Sequence, residues 1–335
     1  MALPIPSFFD AGQVDKVWRV PYEKRAEQAG DWARRNQFQT SSADKKRVWL
    51  LLVDVQNTFC IPGYELFVAG RSGLGAVEDN IRLCQFIYRN LDKITNISAT
   101  MDTHLTQQVF HAIFFVDKNG NHPPPYTNIS AGELESGKWS FNPMLAPRFG
   151  ITSAYGQEMM IHYAAELEKK GKYALTIWPY HALLGGIGHA LVSAVEEAVF
   201  FHSIARQTQP SFEIKGDRPF TEHYSVIRPE VMFGPEGESL GAHNAKFIQT
   251  LQEVSAVVIA GQAKSHCVAW TISDLLVDIN RTDKSLVDKV YLLEDCTSSV
   301  VIPGADFTDA GNEAYQRFSK AGMHLVKSTD DFLNF

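Results

Sequence analysis

The sequence predicts an α/β protein built on a doubly wound, mostly parallel β-sheet flanked by helices. Three observations point there. Short apolar runs recur at 48–55, 94–101, 174–178, 211–215, 257–260, 290–293 and 324–326. Helical patterns lie between many of them, at 80–90, 188–205, 242–251 and 310–321. Strands that alternate with helices build parallel sheets. The run at 256–260 is apolar at every position, as a fully buried strand is.

The bulk properties bound the function. The chain has 335 residues, 45% hydrophobic and 21% charged, enough for an ordinary soluble core in one large domain or two modest ones. Its net charge is −7 and it has no basic run, which argues against nucleic acid or an anionic membrane as partner. The four scattered cysteines, Cys60, Cys84, Cys267 and Cys296, form no disulfide framework and argue for a reducing compartment. The first twenty residues read as no signal peptide, and no stretch is long enough to span a membrane. A cytoplasmic localisation is expected.

Taken in order, 1–46 is a charged, partly helical extension. The strand at 48–55 carries Asp54 to the rim of the sheet behind four apolar residues, in "LLLVDVQNTFC". A carboxylate there serves equally as a helix cap. The next strand ends "SATMDTHLTQQVFH". Asp102 and His104 are two apart, so on an extended strand they point the same way, and His111 follows. A carboxylate with imidazoles suits Zn²⁺ or Fe²⁺, with Mn²⁺ as a third candidate. Residues 114–172 read as an insertion, opening in turn formers and closing in an amphipathic helix at 155–170. The run ending "TIWPYHALLGG" brings Trp178 as a pocket wall and His181 as a further ligand. "FEIKG" ends in Lys215, a place that demands a carboxylate nearby.

Cys267 closes the series, in "AVVIAGQAKSHCVAWTISDLL". Most lone cysteines merely fill a core. This one falls between a buried strand and a helix whose apolar face is Val268, Ile272, Leu275 and Ile279. Ligands bind outside the carboxyl ends of strands in open α/β sheets. Helix N–H groups there hold a developing oxyanion.

These motifs, in this order, resemble the isochorismatase-like cysteine hydrolases, and among them the nicotinamidases. "VDVQNTFC", "MDTHLTQQVFH", "WPYH", "IKG" followed by "EHYS", and "GQAKSHCVAWTISDLL" each resemble a family motif. The resemblance runs from about residue 48 to the C-terminus, outside the insertion. It implies an isochorismatase-like hydrolase fold over 47–335. It implies Cys267 as nucleophile, Asp54 as general base and Lys215 as third member. Asp102, His104, His111 and His181 would contact the metal, and Phe59 and Trp178 would flank the substrate ring. The backbone N–H groups of Ala263 and Cys267 would form the oxyanion hole, with a cis peptide before Ala263. The implied activity is hydrolysis of nicotinamide to nicotinate and ammonia through a thioester, by a homo-oligomer acting on a small-molecule amide. A related small-amide, carbamoyl or ureido hydrolase is the alternative, and a catalytically silent assembly protein a further one. Two departures bear on the amide. "ALLGGIGH", with His189, stands where nicotinamidases usually have Cys-Val-Gln-Gly-Thr, and Glu222 replaces the Asp before Tyr224.

Overall fold

The computed structural model describes residues 3–171 and 173–333. Six strands form the central sheet: β1 Val48–Val53, β2 Asn96–Asp102, β3 Ser211–Lys215, β4 Ala256–Gly261, β5 Val290–Leu293 and β6 His324–Val326. Their order is β6-β5-β4-β1-β2-β3, and every neighbouring pair is parallel. The order reverses between β1 and β4, so the crevice at their carboxyl ends is a topological switch point. β1 and β4 are buried at every position, which explains why both read as unbroken apolar runs.

Seven helices matter to the argument: α1 Tyr22–Arg35, α2 Gly75–Arg89, α3 Ser153–Lys169, α4 Ser193–Arg206, α5 Lys246–Glu253, α6 Ala269–Thr282 and α7 Thr308–Lys320. Side-chain alternation along β1 divides the core in two. Leu50 and Leu52 meet α2 and α4, while Trp49, Leu51 and Val53 meet α5, α6 and α7. Val268, Ile272, Leu275 and Ile279 are fully buried in the second layer. Each contributes about 1.5–3 kcal/mol, so the helix behind the nucleophile is firmly seated. The N-terminal segment joins the first layer. Ala29 of α1 is buried there, and Arg25 pairs with Glu197 of α4 at 2.7 Å.

Two expectations are corrected. The run 174–178 is not a strand of the central sheet. Leu175–Thr176 pairs antiparallel with Asn128–Ile129, because the insertion supplies a nearer partner. The helix expected over 188–205 begins at Ser193. Its first turn is given up because the preceding segment bonds to the chain after β1, through Asn57 N–H to Ala190 O (2.9 Å) and Val192 N–H to Val55 O (3.0 Å). The other helix boundaries move by a few residues, as helix ends do.

The insertion carries its own small core. The apolar face of α3 (Met160, Tyr163, Ala164, Leu167) packs with Phe110, Phe114, Ile177 and Trp178. Among the described residues no helix is long and apolar enough to cross a membrane.

Candidate active site

Three strand ends converge on one ammonium. Lys215, the last residue of β3, is paired in register with Asp102, the last of β2. Its Nζ lies 2.8 Å from Asp54 Oδ2, 2.9 Å from Asp102 Oδ1 and 3.6 Å from Cys267 Sγ, and donates to His223 O at 2.9 Å. All four side chains are buried. Burial is the largest influence on Lys215 and pulls its pKa down, yet Asp102, Asp54 and Cys267 together hold it well above the ordinary lysine range. The two carboxylates thus favour the charged form of Lys215. Burial is also the largest influence on Asp102, and would raise it, but His104 and Lys215 keep it well below the usual range. Asp54 is pushed up, by burial first and by Asp102, against the pull of Lys215.

Asp54 sits just beyond β1 at φ 47°, in the left-handed region. Thr100 holds it there: its hydroxyl donates to Asp54 Oδ1 and accepts the Asp54 N–H at 3.0 Å. Gln56 holds Asp102 in the same way, accepting its N–H at 2.7 Å and donating to its carbonyl at 2.8 Å. Neither Thr100 nor Gln56 was singled out from the sequence. Thr100 had a readable signal, since it lies two before Asp102 and so on the same strand face.

Cys267 lies in one turn of π-helix, Lys264–Val268, that runs into α6, rather than in the first α-helical turn. Burial pushes its thiol well up; Lys215 opposes this, and a hydrogen bond with Asp54 adds to it. The resting group is a thiol next to a carboxylate base and a fixed cation. The peptide Gln262–Ala263 is cis, and Ala263 lines the same cavity as Cys267. Gly261, at φ 120°, precedes it. A Cβ there would stand 2.1 Å from Val53 O, so β1 and β4 can end side by side only with glycine.

Asp102, His104 and His181 place their ligand atoms within 4.8 Å of one another. His104 Nε2 is 2.8 Å and His181 Nε2 3.7 Å from Asp102 Oδ2. His111 falls outside this group, with its ring centroid 6.1 Å from that of His104 and 6.3 Å from that of His181. Each imidazole uses Nδ1 on a backbone carbonyl: Gly216 O for His104 (3.0 Å), Thr106 O for His111 (3.2 Å) and Pro179 O for His181 (2.8 Å). The Nε2 atoms are thereby left as lone-pair donors, the arrangement that orients histidine ligands. Nε2 of His111 is buried without a hydrogen-bond partner, whereas Nε2 of His104 faces Asp102 Oδ2. Burial keeps His181 below its usual pKa and His111 at about 3, so both are neutral. The donor set fits a divalent transition metal.

Phe59, Trp178, Tyr224, His266, Ala263 and Cys267 line a cavity of about 250 Å³, together with Asp102, His181 and Glu222. Trp178 reaches it on a loop and donates from Nε1 to Tyr224 Oη at 3.0 Å. Glu222 is buried and its carboxyl is pushed up to about 7, by burial first. His266 is held neutral at about 3 by burial. Besides residues 64–68, Tyr126 from the insertion and residues 300–303 line the wall. The sequence carried no signal for either. His189 lies off the cavity wall, its Nε2 2.8 Å from Thr103 Oγ1.

The six-stranded parallel sheet flanked by helices is the isochorismatase-like α/β fold. Solved structures that share the fold include nicotinamidases. The yeast nicotinamidase Pnc1p bound to nicotinaldehyde superposes with a TM-score of 0.51 at 17% identity, covering 84% of this chain and 99% of that one. A second yeast Pnc1p structure gives 0.50 at 18%, covering 83% and 99%. An Acinetobacter baumanii nicotinamidase pyrazinamidase gives 0.49 at 17%, covering 86% and 99%. No protein-family model matches the chain, and no curated protein matches it in sequence.

Proposed function

We propose that the protein is a metal-dependent cysteine amidohydrolase acting on a small ring carboxamide, with nicotinamide as lead substrate. The observation that carries this reading is the Lys215 ammonium, which joins Asp54, Asp102 and Cys267 Sγ at one edge of an aromatic cavity.

The ring lies between Phe59 and Trp178, and the carboxamide points to Cys267. Asp54 takes the thiol proton, and Lys215 offsets the charge left on sulfur. The thiolate adds to the carbonyl carbon. The oxyanion that forms is held by the N–H groups of Ala263 and Cys267. Asp54 returns the proton to nitrogen, the C–N bond breaks and ammonia leaves a thioester. Asp54 then deprotonates water, which attacks the thioester, releases the acid and restores the thiol. Asp102, His104 and His181, with His111 close by, would hold the metal. When bound, it would supply a Lewis-acidic anchor for a polar ring atom.

The lining supports a neutral substrate. Glu65, Asp102 and Glu222 border the cavity, and among the described residues no lysine or arginine lines its wall. An anionic ureido or carbamoyl acid would face these carboxylates, with the Lys215 ammonium already paired to Asp54 and Asp102, whereas a neutral pyridine or pyrazine amide meets no repulsion. The test is ammonia release from a panel of amides. Nicotinamide and pyrazinamide are expected to be hydrolysed and N-carbamoyl amino acids left intact. Preferential turnover of a carbamoyl acid would overturn the choice of substrate, and no turnover of any amide would overturn the activity.

A further inference from the structure

Asp79 is a buried carboxylate that the mechanism above does not use. It lies in the second turn of α2, is 2% exposed and does not line the cavity. Its Oδ2 accepts from Gln262 Nε2 at 2.9 Å, and its Oδ1 pairs with Arg82 Nη2 at 2.8 Å. Arg82 is itself pinned through Nε to Asp295 O. The other end of the Gln262 amide is also engaged, since Oε1 accepts the Ser298 N–H at 3.3 Å. Gln262 immediately precedes Ala263, whose N–H faces the reaction in the proposed mechanism.

We propose that Asp79 is a positioning residue for the amide hydrolysis: by clamping the Gln262 side chain it aims the Ala263 N–H at the reacting carbonyl. The inference rests on the amidase reading. Backbone bonds hold the turn on either side of that peptide, and Ala263 O accepts the His266 N–H (2.9 Å) and the Val268 N–H (3.2 Å). Gly261 N–H donates to Cys296 O (3.1 Å), Gln262 N–H to Val53 O (2.8 Å) and Lys264 N–H to Ser298 O (2.8 Å). None of them engages the Gln262 carbonyl or the Ala263 N–H. The Gln262 side chain adds the tie next to that peptide, and its charge-assisted bond is the one to Asp79. Without it, a buried amide donor is orphaned and the turn shifts to find it a partner.

The test compares Asp79→Ala, Asp79→Asn, Gln262→Met and the combined Asp79→Ala/Gln262→Met protein on nicotinamide. Asp44→Ala is the control, because it removes a carboxylate paired with Arg206, remote from the site. Asp79→Ala is expected to lower kcat by about 30- to 100-fold with KM nearly unchanged, as a small misalignment does. Asp79→Asn keeps an acceptor for Gln262 and should recover most of that loss. The combined protein should be no slower than the slower single variant, because both act through one contact. Hydrogen exchange over 262–268 should quicken in Asp79→Ala. Full kcat in folded Asp79→Ala, multiplying effects in the combined protein, or an equal kcat loss in Asp44→Ala would overturn the proposal. Should Asp79→Ala not fold, the Asp79→Asn and Gln262→Met proteins carry the same comparison. If the wild type hydrolyses no amide, the amidase reading falls, and the exchange rates at 262–268 decide whether Asp79 holds the turn.

Discussion

Lys215 shows how far single residues could be read. A lysine that ends an apolar strand calls for carboxylates, and the structure supplies two, at 2.8 and 2.9 Å. What the sequence withheld was which two, because pairing depends on the order β1-β2-β3. Replacing Cys267 by Ala should lower kcat by about 10⁴-fold or more, as loss of a nucleophile does. Cys60, Cys84 and Cys296 are buried away from the cavity, and their Ala variants should stay within about tenfold of wild type. Steady-state ammonia release reads both. Gly216 makes a sharper point about the metal. It has φ +86°, and a Cβ there would stand 2.8 Å from both Asp102 Oδ1 and His104 Cε1. Purified protein is expected to carry about one divalent metal per chain, and Gly216→Ala to weaken its binding by about 10- to 100-fold, as displaced ligand supports do. Elemental analysis and chelator competition measure this, and unchanged affinity would remove the triad from the metal's shell.

At the scale of elements, α4 ties the N-terminal segment to the sheet. Arg206 donates to Leu91 O at 2.8 Å and pairs with Asp44, and His202 Nε2 donates to Ile94 O at 2.9 Å, just ahead of β2. Burial first, then the Arg206 charge, lowers His202 to about 4, while the carbonyl bond opposes the shift. Unfolding frees the imidazole to its ordinary value of 6.5. Between these values the unfolded chain binds more protons, so stability falls as pH falls through that window. From pH 7 to pH 5 the loss from this residue is about 2 kcal/mol. His202→Gln, which keeps a donor for Ile94 O, should flatten that dependence in urea melts at the two pH values. An unchanged slope would clear His202 of the effect. The strand 174–178 is the element the sequence misassigned. Its local pattern was right for an extended segment, but its partner, Asn128–Ile129, comes from 46 residues upstream and outside the central sheet.

For the molecule as a whole, the insertion turns a surface addition into part of the pocket. Its core of Phe110, Phe114, Met160, Tyr163 and Ile177 holds Trp178 from behind and delivers Tyr126 to the cavity. The rings of Tyr126 and Trp178 are 6.1 Å apart, edge to face. Tyr126 thus narrows the cavity beside Trp178, and on the proposed reaction Tyr126→Ala should favour a bulkier ring amide. The ratio of kcat/KM for that amide to kcat/KM for nicotinamide should rise by about tenfold, about 1.4 kcal/mol of discrimination. An unchanged ratio would leave the insertion a support for Trp178 and no more.

The sequence by itself determined the parallel sheet and the approach of Asp54, Asp102, Lys215 and Cys267 to its carboxyl edge. Burial on both faces makes a central strand apolar throughout, and the first polar residue after such a run must emerge at the rim. Tertiary structure alone decided what meets across the crevice. The joining of His181 to Asp102 and His104 without His111, the Asp79–Gln262 clamp and the entry of Tyr126 each bring together distant parts of the chain. Local periodicity reports only which side of an element faces inward. Which inward faces touch is settled by long-range packing, where no short window of sequence carries the information.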